Sequence, residues 1–133
     1  QAYRAGLRRI PGDPGLINNL SVALNNERRY EESIIILGDT IERHDTDWEM
    51  HLNLAIALRS SERCEEAIPH YRRALALRPR NPDALFDLGV CLETESRADE
   101  AVQVYREYIQ AVRARDAGAA ARAQERIDAL GGR

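Results

Sequence analysis

Between positions 81 and 115 the apolar residues recur at helical spacing twice, with a polar break between the two runs. Leu85, Leu88, Gly89 and Leu92 form one stripe, and Ala101, Val104, Tyr105 and Tyr108 form another. Recurrence at three and four residues puts such side chains on one face of a helix. The spacing therefore predicts amphipathic helices over 82–94 and 98–113. Asn81 followed by Pro82 marks the start of the first, since Asn caps well and Pro suits the first helical position. A lone hairpin of this size cannot bury both stripes, so neighbours are required.

The chain supplies them. Shifted back by 34 residues, positions 51–79 align without a gap. Leu54 falls on Leu88, Ala55 on Gly89, Leu58 on Leu92, Ala67 on Ala101 and Tyr71 on Tyr105. A second shift brings Leu20, Ser21, Leu24, Ser33 and Leu37 to the same places. Tyr3 then lies under Leu37, and Pro11 takes the place of Pro79, so the opening segment reads as the second helix of a truncated unit. A fixed period of this kind marks a stacked repeat array. It predicts helices over 1–9, 14–26, 30–43, 48–60 and 64–77 before the two above. A last Ala-rich helix follows over 116–130. The units are a half repeat (1–13), three repeats (14–47, 48–81 and 82–115) and a capping helix (116–133).

Local chemistry adds detail. Thr46 or Asp47 can cap the third of these full-length helices. Pro69 inside 64–77 predicts a late start or a slight bend, because Pro lacks the N–H of an interior position. Tyr108 occupies the column of Gly6, Thr40 and Ala74, and is expected to push the next helix outward. The final helix has a thin apolar face of Ala119, Ala123, Ile127 and Leu130, and Gly131-Gly132 stops it. A polar outer face suits the terminal unit of a solenoid, and a recognition helix is the less favoured reading.

The residues in these columns resemble the tetratricopeptide (TPR) family. That family has 34-residue helix-turn-helix units with a small residue on each helix and a large one on the second. Here the small residues are Ser21, Ala55 and Gly89 on first helices and Ser33, Ala67 and Ala101 on second helices. Leu37, Tyr71 and Tyr105 are the large ones. The chain departs from the family where Ile17, His51 and Leu85 stand in place of a frequent Trp, and where Asp45 and Arg113 replace the closing Pro. The resemblance implies an all-α, right-handed α-solenoid of antiparallel helix pairs, with first helices lining a concave groove.

Composition narrows the function. Aromatic residues are 5% of the 133, so the core must be aliphatic. A net charge of −3 is too small for non-specific nucleic-acid binding, which needs many phosphate contacts. All 19 basic residues are Arg, scattered among 22 acids, a pattern of GC-rich, bacterial coding. No apolar run reaches membrane-spanning length, so no membrane insertion is expected. No signal peptide is visible. The chain starts inside a repeat and reads as a fragment, with a cytoplasmic location as the expectation. Cys91 reads as a small apolar filler and Cys64 as the opening residue of a second helix. A structural disulfide between them is the less favoured reading, and no metal or cofactor site is expected.

His44, His51 and His70 show no metal-ligand spacing, and no nucleophile or phosphate-loop motif occurs. The acid pairs Glu31-Glu32, Glu65-Glu66 and Asp99-Glu100 recur once per repeat at a helix start, where they favour the dipole. They read as structural, and the chain as no enzyme.

Helical phase picks out the groove-facing positions. These are Asn18, Asn19, Val22, Asn25 and Asn26, then Glu49, Leu52, Asn53, Ile56 and Arg59, then Asp83, Phe86, Asp87, Val90 and Glu93. Asn19, Asn53 and Asp87 form a column of amide or carboxylate groups, and an amide can pair with an extended peptide backbone. Val22, Ile56 and Val90 form an apolar stripe, widened by Leu52 and Phe86. Asp83, Asp87 and Glu93 make one end acidic, so a bound segment is expected to carry Arg or Lys. TPR proteins that clasp chaperone C-termini use Lys and Arg where Asp83 and Asp87 stand, so that activity is rejected. The expected function is a scaffold that holds a partner protein or extended peptide. A self-assembling scaffold, packing through its first helix or Ile35 and Ile36, and a targeting domain of a larger enzyme are the alternatives.

Overall fold

The computed structural model describes residues 13–132, so the helix expected over 1–9 and most of the half repeat lie outside the described residues. Seven α-helices follow in order: α1 (Pro14–Asn26), α2 (Tyr30–Thr40), α3 (Trp48–Ser60), α4 (Cys64–Leu77), α5 (Pro82–Thr94), α6 (Ala98–Val112) and α7 (Ala117–Ala129). The first six form three antiparallel pairs, and α7 packs on α6. The described chain is an all-α solenoid. None of its helices is long and apolar enough to cross a membrane.

The repeat is written into the helix ends. Asp13, Asp47 and Asn81 stand 34 residues apart, and each side chain accepts the N–H of the third residue onward. Each cap satisfies a donor that the first turn leaves orphaned. Second helices start on Arg29, Arg63 and Arg97, which have no capping side chain. Their N–H groups donate instead to Leu24, Leu58 and Leu92, each at 2.8 Å. Their guanidinium groups fork onto Glu32, Glu66 and Glu100 three residues on. That ion pair explains why one acid of each recurrent pair is placed where it is.

The preceding residues, Arg28, Glu62 and Ser96, all have φ near +60°. Without a Cβ, Gly adopts this conformation freely, whereas other L-residues incur roughly 1–2 kcal/mol. Ser96 is exposed, and its side chain makes no hydrogen bond among the described residues. Ser96→Gly is therefore expected to raise the unfolding free energy by about 0.5–1 kcal/mol, after Gly's extra unfolded-state entropy is deducted. A urea midpoint that stays the same or falls contradicts this.

The core is continuous through the stack and mostly aliphatic, with Tyr71 and Tyr105 as its largest fully buried side chains. Ser21, Ala55 and Gly89 are all buried, one per pair. Gly89 lies against the Tyr105 ring, where an added Cβ would meet Cε1 at 2.5 Å. Full burial of such large side chains contributes about 1.5–3 kcal/mol each.

Four details differ from the sequence reading. The second helix ends as α-helix at Thr40 and tightens into a 3-10 turn over Ile41–His44. Thr40 Oγ1 bonds back to Ile36 O at 3.0 Å, a local competitor for helix carbonyls. Pro69 does not delay α4, which starts at Cys64 and runs through it. Tyr108 is half-buried with its ring against Phe86 of its own pair, 5.2 Å between centroids. Finally, Cys64 and Cys91 are not separate fillers: they form a disulfide with Cα atoms 5.1 Å apart. It ties the start of α4 to the last turn of α5, across the seam between the second and third pairs. The two columns hold Tyr30 or Ala98 and Ala23 or Ala57 elsewhere, so the repeat pattern carries no hint of the pairing.

Candidate partner-binding face

First helices of successive pairs approach one another directly, α1 with α3 and α3 with α5, while second helices approach less closely. The stack therefore bends toward its first helices, and their outer side is the concave face. Asn19, Val22, Asn26, Glu49 and Asp83 are exposed on these helices. Ile56, Phe86, Asp87 and Val90 are half-buried. Asn18, Leu52 and Asn53 are buried.

The buried three serve the stack. Asn53 Nδ2 donates to Asn18 Oδ1 at 3.2 Å, and Asn18 Nδ2 donates to Asp47 Oδ2 at 3.2 Å. Asp47 is also the cap of α3, so one chain of bonds fixes the start of α3 against α1. Asn25 Nδ2 adds a bond to the Asn53 carbonyl at 3.3 Å. A buried amide needs such partners, since leaving one unmade costs about 1–3 kcal/mol. The column predicted to meet a peptide backbone is thus divided. Asn19 faces solvent, Asn53 holds two first helices together, and Asp87 joins a charged cluster.

That cluster recurs with its polarity reversed. In the second pair, Arg59 on α3 donates to the Tyr71 hydroxyl at 3.2 Å and lies 3.7 Å from Asp87 on α5. In the third pair the same columns hold Glu93 and Tyr105, and the next helix supplies Arg126. Arg126 Nε donates to Glu93 at 2.8 Å and to the Tyr105 hydroxyl at 3.1 Å, while Tyr105 donates to Glu93. Its guanidinium also lies 5.8 Å from the centroid of Phe86. The first pair has Asn25, Leu37 and Asn53 in these places, with no charge. Burial pushes the Asp87 carboxyl above the usual carboxylate range, with Arg59 pulling the other way and Asp83 adding to the rise. Burial also raises both tyrosine hydroxyls.

The acidic end is consequently less bare than its sequence suggests. Asp87 and Glu93 are engaged by arginines of the chain itself, which leaves Asp83 and Glu49 as the exposed acids of the predicted set. Sequence reasoning missed Tyr71, Tyr105 and Arg126 as parts of this face. The available signal was a Tyr in a column that Leu37 shows an aliphatic residue can fill, because a buried hydroxyl needs a partner.

On the second-helix side, His51 Nε2 lies 2.9 Å from the Asp45 carbonyl, so it carries the proton and leaves Nδ1 as an acceptor. His70 Nδ1 then donates to it across 3.4 Å. Burial, and then the neighbouring His51, hold the His70 pKa below its ordinary 6.5. The unfolded chain therefore takes up this proton first as pH falls. The stability contribution is complete above about pH 6.5 and is lost as pH drops through the folded pKa. Urea midpoints measured from about pH 7.5 to about pH 5 should fall for the natural chain and fall less for His70→Gln. Equal slopes would refute the assignment.

The tetratricopeptide repeat family model matches residues 52–120. No curated protein sequence matches the chain. Among solved structures, the type III secretion chaperone SycD of Yersinia enterocolitica, in complex with a peptide of the translocator YopD, superposes with a TM-score of 0.80 at 14% identity. That alignment covers 88% of this chain and 91% of the other. PcrH, of Pseudomonas aeruginosa, in complex with the chaperone binding region of PopD, gives 0.79 at 18% identity, covering 88% and 90%. A type III secretion complex from Aeromonas hydrophila gives 0.81 at 17% identity, covering 96% and 87%. At these identities the likeness is one of fold. The family match spans more than half of the residues and falls on the same helix pairs that the 34-residue period defines: the chain belongs to the tetratricopeptide repeat family.

Proposed function

We infer that this chain is a non-catalytic scaffold whose concave face holds an extended segment of a partner protein. The observation that carries the reading is the stripe of Val22, Ile56 and Val90, one per first helix, of which Val22 is 44% exposed. Val22 is open, Ile56 and Val90 are half-buried at the same place in their repeats, and an apolar row of this kind suits a partner. Phe86 extends it. Asn19 offers amide groups beside it, and Asp83 and Glu49 would meet Arg or Lys of the segment. Asn18, Leu52 and Asn53 act from beneath, by setting the spacing of the helices that form the row. That SycD is seen with a peptide of YopD and PcrH with a region of PopD supports the class of activity.

The test is photo-cross-linking in the native host from p-benzoylphenylalanine placed at Val22 or at Ile35. Capture from position 22, abolished by Asp in place of Ile56 or Val90 without loss of helicity, supports the apolar row. Ile35 is 41% exposed on α2 and Ile36 is buried. Linkage of two copies from position 35, with none from 22, would favour self-assembly instead. The disulfide bears on location, because cytosolic glutathione keeps thiols reduced. Two free thiols in freshly isolated protein support the expected cytoplasmic setting, and a bonded pair supports an oxidising compartment.

A further inference from the structure

On the second-helix side, the two seams between successive pairs use the same columns and close differently. In the first seam the imidazoles of His51 and His70 stand together, their Nδ1 atoms 3.4 Å apart. Arg73 Nε shuts its edge by donating to the Asp45 carbonyl at 3.3 Å. Thirty-four residues on, these columns hold Leu85, Val104, Glu107 and Pro79. Leu85 and Val104 have no polar atom with which to repeat the imidazole bond. Glu107 has no N–H with which to repeat the Arg73 bond to the Pro79 carbonyl. The second seam therefore stays open, as a hollow of about 290 Å³.

The chemistry of this hollow is specific. Its floor is apolar, with Leu85, Leu88 and Val104 at 2%, 1% and 6% exposure and Leu75 beside them. Its rim is acidic. Glu107 is exposed and makes no ion pair among the described residues. The hollow runs on along α6 into a second one of about 260 Å³, bordered by Asp99, Glu100 and Gln103. Arg72, the one cation at this border, is engaged by Glu100 at 2.7 Å.

We propose that the second seam is a docking site for a partner-protein segment that presents an apolar side chain next to an Arg or Lys. The apolar group occupies the volume that the two imidazoles take in the first seam. The cation stands where Arg73 stands there, bonded to Glu107 and to the Pro79 carbonyl. Charge complementarity with Glu107 selects this segment over an acidic one. The site lies across the stack from the concave face, so it does not depend on that face binding anything.

The test uses methyl-resolved NMR on the whole chain, with n-hexylguanidinium as the probe and n-hexylsulfonate as the control. The guanidinium compound is expected to shift the methyl signals of Leu75, Leu85 and Val104 saturably, and the sulfonate is not. Glu107→Arg should weaken binding about tenfold, and Glu107→Gln by less, with thermal unfolding unchanged in both. Val22→Asp should leave probe binding intact. Absent shifts, equal shifts from the sulfonate, or equal affinity in Glu107→Arg would overturn the proposal. If the same methyl signals move on dilution without any probe, a second copy of this chain occupies the seam and the assignment to another protein is wrong.

Discussion

Replacing Cys64 and Cys91 together by Ala is expected to lower the unfolding free energy by about 3.5 kcal/mol. The estimate comes from loop closure: the bond spans 27 residues, and tying such a loop removes conformational freedom from the unfolded chain. The substitution is mild in the folded state, because Ala98, Ala23 and Ala57 already occupy the equivalent columns. The two sulfurs are buried, so some packing is also lost. The bond also crosses a seam. In a repeat array, stability is a sum of unit and interface terms, so weakening one interface uncouples its sides. The double variant should therefore unfold at lower urea and over a broader range. A midpoint unchanged from that of the oxidised natural chain would show that the cross-link contributes nothing.

Gly89→Val is the second large effect, an expected loss of about 3 kcal/mol. A Cβ at this position would lie 2.5 Å from Cε1 of Tyr105 and 2.8 Å from its Cζ. The ring has little room to give. Tyr105 is fully buried, and its hydroxyl is held by Glu93 and Arg126. Gly89→Ala should cost less, because the second repeat holds Ala55 with Tyr71 in the same columns, and Ala gains about 1 kcal/mol of helix propensity over Gly. The first repeat holds Leu37 in the Tyr105 column, which suggests the rescue. Adding Tyr105→Leu to Gly89→Val should recover a large part of the loss, and a double-mutant cycle would measure it. Simple additivity of the two single changes would refute the contact as the cause.

Much of this was legible without coordinates because the architecture is periodic. Helix starts, caps and small residues repeat every 34 positions, and each is set by neighbours close in sequence. Asp47 and Asn81 cap as their positions suggested, and α4 and α5 match their expected limits. The face was legible in part. Helical phase places Val22, Asn19 and Asp83 at the surface, but it cannot say what a neighbouring helix presents. Asn53 looked open by phase and is covered by Asn18 of the preceding pair. Asp87 and Glu93 looked like bare acids, and both meet an Arg from another helix.

The amino-acid order alone determined the repeat, the helix pairs and the aliphatic character of the core, since propensity, capping and amphipathic phase act over a few residues. Only the tertiary structure decided which side chains meet between helices: Cys64 with Cys91, His51 with His70 and Arg126 with Glu93. Those pairings depend on how far one helix is rotated and slid against the next. That rotation is set by the summed packing of buried side chains, Gly89 against Tyr105 among them, and by no single motif.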